Sequence, residues 1–183
     1  MKFFIPLLAI LLLLPPKTAT AEEPLFRLID ARLELMRAVA AHKWQFQLAV
    51  EDSAREAIVV EKARQSAVKA GIVPDTAEAF FRGQIEAAKE IQRYWFRRWE
   101  QGLAAEIAPD LNSEIRPQLI TLGHKITLHL SSMNKKSNLQ SEYDATVSVK
   151  GLSRDRKDAL YQSLLNIEQY TNRLQQILDT KTL

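Results

Sequence analysis

The chain has 183 residues, three histidines, no cysteine and a formal net charge of +3. That length suits one domain with its own core, and the missing cysteines exclude both a disulfide framework and a thiolate metal site. Two of the basic residues, Lys2 and Lys17, and no acidic ones fall in the first 21 positions. The remainder therefore carries 23 basic against 22 acidic side chains, too even a balance to imply a nucleic acid or an anionic membrane as partner.

The first residues bear on the compartment. Lys2 precedes an apolar run over residues 3–14 interrupted only by Pro6, then Pro15 and Pro16, then Ala19-Thr20-Ala21. This is the three-part pattern of a secretory signal peptide, with cleavage expected after Ala21. The run is shorter than the roughly 20 apolar residues a membrane span needs, and no second one follows. The expectation is signal peptide over 1–21 and a soluble domain over 22–183, in the periplasm or outside the cell, with no membrane attachment.

The domain then reads as helix after helix. Leu25, Leu28, Ile29, Arg32, Leu33, Met36 and Val39 recur at three- and four-residue steps behind Pro24, predicting a first helix with one buried face. Ser53 with Glu56 has the form of a capping box, opening a second helix that Gly71 should close ahead of Pro74. Asp75 with Glu78 repeats the capping pattern before a long third helix through Phe80, Phe81, Ile85, Ala88, Ile91, Trp95 and Trp99. Residues 102–112 read as a connection, and Leu119, Leu122, Ile126, Leu128 and Leu130 mark a fourth helix. Polar residues 131–141 loosen the chain. Thr146-Val147-Ser148-Val149 alternates like a strand, though residues 143–150 are read as helix or turn. A last helix after Ser153 should carry Leu160, Leu164, Leu165, Ile167, Tyr170, Leu174, Ile177 and Leu178. The fold class is an all-α bundle of five or six helices.

Few residues carry obvious chemistry. His124 and His129 are five apart and do not share a helical face, so with His42 they read as surface histidines rather than a metal site. Trp95 and Trp99 share a face that Arg97 and Arg98 do not, which favours a packed seam over a nucleic-acid platform. Arg32 is different, because it sits on the apolar stripe of the first helix, where an unpaired charge is expensive. Lys43 lies eleven residues on, about 16 Å along a continuous helix, so the two side chains could converge on a small dianion.

Arg32-Leu33-Glu34, Ala40-Ala41-His42-Lys43-Trp44 and the segment from Val50 to Glu56 resemble the helical chorismate mutases. The stretch Phe80-Phe81-Arg82-Gly83-Gln84-Ile85-Glu86-Ala87-Ala88-Lys89-Glu90-Ile91-Gln92 strengthens the match, and the blocks align without gaps. The leader and the helical extension after Gly102 are similar to the secreted subclass, in which one chain folds the whole site. The resemblance spans about residues 25–125. It implies the type II chorismate mutase fold, conversion of chorismate to prephenate without cofactor or metal, and a homodimer. It also implies that Arg32, Arg55 and Arg116 hold the substrate's carboxylates, and that Lys43 and Gln92 donate to its ether oxygen. Glu56 would orient the ring hydroxyl, helped by the backbone near Asp52. Arg116 aligns after a one-residue adjustment. Ala88 departs from the pattern, because relatives often place a hydroxyl there. Two other readings stay open, an isochorismate pyruvate lyase and a non-catalytic periplasmic helical binding module.

Overall fold

The computed structural model describes residues 24–133 and 139–174. The signal peptide and its cleavage site, the middle of the polar stretch, and Ile177 and Leu178 lie outside the described residues. The elements are α1 (Leu25–Gln45), α2 (Ser53–Lys69), α3 (Pro74–Glu100), a π-helical turn (Leu111–Ile115), α4 (Arg116–Ser132), α5 (Gln140–Thr146) and α6 (Arg154–Leu165). The all-helical expectation holds.

The 27-residue α3, about 40 Å long, is the central strut. On one side it packs against α1 and α2 and on the other against α6, while α4 closes over α1 and α2. Leu28, Ile29 and Leu33 of α1, Phe80 and Ile91 of α3, Ile126 and Leu130 of α4, and Leu160 and Leu164 of α6 meet in one core. The aromatic stretch is a seam, with Trp95 and Trp99 stacked at 6.1 Å and Trp44 against both Trp99 and Phe96. Arg37 lies 4.2 Å over the Trp95 ring, whereas Arg97 and Arg98 face solvent.

The helix boundaries depart from the sequence reading in instructive ways. Asp52, not Ser53, caps α2: its Oδ1 accepts from the Arg55 N–H at 3.0 Å, while Glu56 reaches back to the Asp52 N–H. The capping box is therefore set one residue earlier, and its carboxylate sits four residues on. Asp75 and Glu78 do not cap α3, which starts on Pro74. Both instead grip Arg64 of α2, at 2.7 and 2.6 Å. Gly71 does end α2 as expected, at φ +74°, where a side chain is disfavoured.

Residues 147–149 alternate as read, with Val147 and Val149 buried, but they run as an irregular segment after α5. The last helix is broken. Ile167 turns into the core, and the backbone of 168–170 satisfies groups that the α2–α3 corner leaves open. The Val73 N–H donates to Glu168 O at 2.8 Å, and the Tyr170 N–H to Gly71 O at 2.9 Å. Helix resumes at Tyr170, which with Leu174 is exposed rather than buried. Leu128 of α4 also points outward, and Thr127 takes the buried position beside Ile126.

Candidate active site

α1 is continuous, so Arg32 and Lys43 do share one helical face, and both are buried. Between them and the facing helices lies a cavity of about 380 Å³. All seven residues singled out in the sequence line it: Arg32 and Lys43 from α1, Asp52 before α2, Arg55 and Glu56 in its first turn, Gln92 from α3 and Arg116 opening α4. Met36, Val39, Val50, Val59, Phe81, Ile85 and Leu119 supply apolar walls. Convergent charges in an otherwise apolar cleft are what a small polar ligand requires.

Cations outnumber carboxylates along the lining. Arg32, Arg55 and Arg116 have no carboxylate within ion-pair distance among the described residues, and Arg116 instead donates to Asn112 Oδ1. Burial pushes the Arg32 guanidinium down to about 10, and the neighbouring Arg55 charge adds to the effect. Its Nε finds no acceptor among the described residues. Burial likewise lowers Arg55, with repulsion from Arg116 second. Lys43 is lowered by burial against the pull of Asp52, Glu56 and Glu51. Cations that depress one another in a cleft mark a site built for an anion.

The two donors keep hydrogens in hand. Lys43 Nζ donates to Val50 O at 2.5 Å, using one of three protons. Gln92 Nε2 donates to Ala88 O at 3.1 Å, which fixes the orientation of the amide, and to Met36 Sδ at 3.9 Å, a weak acceptor that a ligand oxygen can replace. Gln92 Oε1 is buried without a hydrogen-bond partner among the described residues.

The sequence reading missed Lys89 and Thr127, which also line the cavity. Lys89 Nζ lies 2.6 Å from Glu86 and 3.4 Å from Glu56. Thr127 is 2% exposed and its hydroxyl donates to Gly123 O at 2.9 Å. The signal was available as spacing: 85, 88, 89 and 92 form one stripe of α3, and 116, 119, 120, 123, 124 and 127 one stripe of α4. His124 sits exposed on that second stripe at the cavity rim, and the His42 ring packs tilted against Phe46 at 4.7 Å. Among the described residues, no three His, Asp or Glu side chains are disposed to hold a metal ion.

Comparison with known proteins bears on this site. The family model "Chorismate mutase type II" matches residues 17–93. A protein named secreted chorismate mutase from Mycobacterium tuberculosis is 31% identical over 171 residues, 87% of this chain and 84% of that relative. A monofunctional chorismate mutase from Enterobacter agglomerans is 28% identical over 148 residues, 76% of this chain and 80% of the relative. The crystal structure of a secreted chorismate mutase from Yersinia pestis superposes with a TM-score of 0.73. It is 22% identical, over 79% of this chain and 97% of that one, and so shares the fold.

Proposed function

The chain belongs to the type II chorismate mutase family, and from that membership we propose how its cavity carries out the conversion of chorismate to prephenate. The enzyme is an isomerase, and the reaction breaks one C–O bond as a C–C bond forms within a single molecule. Such a pericyclic step requires no nucleophile or general base. What a protein can contribute is a reactive conformer, held by its ends, and donors aimed at the oxygen where negative charge grows.

Arg32, Arg55 and Arg116 hold the two substrate carboxylates. Guanidinium suits that task because its planar fork grips carboxylate in a fixed orientation. Lys43 and Gln92 donate to the ether oxygen from the α1 and α3 sides of the cavity. Glu56 accepts the ring hydroxyl, with the Asp52 backbone beside it. The lost hydroxyl at Ala88 removes one hydrogen bond to substrate, worth about 1 kcal/mol of binding, and leaves the chemistry intact. A millionfold acceleration requires about 8 kcal/mol, within the reach of oriented binding and two buried donors. The observation that carries this reading is the convergence on one cavity of Lys43, Gln92 and three arginines that have no carboxylate partner among the described residues.

Relatives named as secreted support export, and we assign it to residues 1–21 with cleavage after Ala21. The working form is a homodimer in this reading. Neither the pyruvate-lyase reading nor the binding-module reading is favoured by the relatives.

Gln92 provides the test. An amide donates at any ordinary pH, so the rate stays flat as the solution is acidified from about pH 8 to about pH 5. Gln92→Glu donates only when protonated, which lies near pH 4.3 for a free glutamate. That variant should be weak at neutrality and regain rate as pH falls. A Gln92→Glu profile as flat as the wild type would remove Gln92 from the ether oxygen.

A further inference from the structure

Lys89 has no part in the scheme above, yet its side chain is only 13% exposed and it lines the same cavity. Its situation is opposite to that of the arginines. They have no carboxylate partner among the described residues, whereas Lys89 has two, Glu86 one turn back on α3 and Glu56 across on α2. Hydrogen bonding to Glu86 raises it above the ordinary lysine value, so it is charged whenever the enzyme works. A cation already neutralised on two sides is a poor grip for a substrate carboxylate, but it makes a good strut.

Glu56 needs one. It sits in the exposed first turn of a helix, and a glutamate there has three side-chain torsions to lose. One oxygen, Oε1, accepts the Asp52 N–H at 3.4 Å, and the other, Oε2, faces Lys89 Nζ at 3.4 Å. Left loose, the carboxylate has cations nearby to pair with, since Lys43 already feels its charge. Such a pair would withdraw both a hydroxyl acceptor and an ether-oxygen donor from the substrate.

We propose that Lys89 is a positioning residue, which Glu86 anchors on α3 and which holds Glu56 toward the ring hydroxyl of the substrate. The proposal rests on the assignment of Glu56 made above. Glu86 lies closer to the ammonium and fixes where it sits, while the longer contact to Glu56 steers a group that must still meet substrate. Oε1 and Oε2 each keep a lone-pair direction for the hydroxyl.

A double-mutant cycle in full-length enzyme tests this, read as initial rates of chorismate loss for wild type, K89M, E56Q and K89M/E56Q. K89M should lower kcat/KM about tenfold, equivalent to about 1.4 kcal/mol. K89R should recover to within about threefold, because its guanidinium still reaches both carboxylates. In the E56Q background, K89M should change the rate less than about twofold, since there is no carboxylate left to position. A K89M rate equal to wild type overturns the proposal, as does an equal loss from K89M with and without Glu56. Should thermal melts show K89M unfolded at assay temperature, K89Q enters the same cycle. An E56Q enzyme as active as wild type would instead sink the role of Glu56, a result separately visible in the cycle.

Discussion

Replacing Arg32 should make the protein more stable and almost inactive. Arg32 sits on the buried stripe of α1 at 7% exposure, and among the described residues it has no carboxylate partner and no acceptor for its Nε. Burial chiefly pulls its pKa down from the ordinary guanidinium value to about 10. At about 1.4 kcal/mol per decade, that withholds about 3 kcal/mol from folding. The fold disfavours the charged form, so the loss is complete at neutral pH. It is recovered only as pH rises through about 10. Arg32→Met keeps most of the stem and removes the charge. After allowance for lost contacts, a net gain of about 1–2 kcal/mol remains, which raises the melting temperature by about 2–8 °C in a chain of this size. Loss of a carboxylate grip of about 3 kcal/mol should lower kcat/KM at least about a hundredfold. Calorimetry at pH 7 with and without prephenate separates the two effects. Saturating prephenate at about 100 times Kd adds about 2.7 kcal/mol to the wild type and should add little to Arg32→Met. A variant that melts below the wild type would refute the unpaired-charge reasoning, and undiminished kcat/KM would refute the carboxylate role.

Other perturbations probe separate parts of the structure. Lys43→Ala should lower kcat far more than it raises KM, because the charge its ammonium meets develops in the transition state; steady-state kinetics read the split. Burial lowers Lys43, so its charged form is lost as pH rises through a value below 10.5. The wild-type rate should therefore fall on the alkaline side before an ordinary lysine would titrate, and a rate still flat at pH 10.5 would contradict this. Gly151→Ala should destabilise by roughly 2 kcal/mol or more, because φ is +91° and a Cβ would lie 2.6 Å from Tyr94 Cγ; urea unfolding measures it. Tyr143→Phe, which removes a buried hydroxyl bonded to Lys157 O at 3.1 Å, should cost about 1 kcal/mol in the same assay.

What was legible in the sequence was what depends on period. The stripe from Leu25 to Val39 located α1, and its continuity through Lys43 placed two cations on one face before any contact was known. Arg32 was conspicuous because a charge on an apolar stripe has no cheap structural explanation. The helix starts were less legible, since capping chemistry competes with tertiary pairing. Asp75 and Glu78 have the spacing of a cap, yet Arg64, eleven residues before Asp75, offers a charged partner from α2. The break at Asn166 was hidden for a similar reason. Leu160, Leu164 and Ile167 keep helical spacing, and only the open backbone groups at Gly71 and Val73 make the chain turn there. Lys89 lay in plain view on the stripe of Gln92, but its role depends on Glu56, 33 residues away, and no local pattern reports such a pair.

The most direct test of the account is the disappearance of chorismate absorbance with purified enzyme in EDTA, alongside the same assay with isochorismate. Prephenate should form rapidly from chorismate, undiminished by the chelator, with little turnover of isochorismate. Folded protein that leaves chorismate untouched, or that requires a metal to act on it, would contradict the account at its centre.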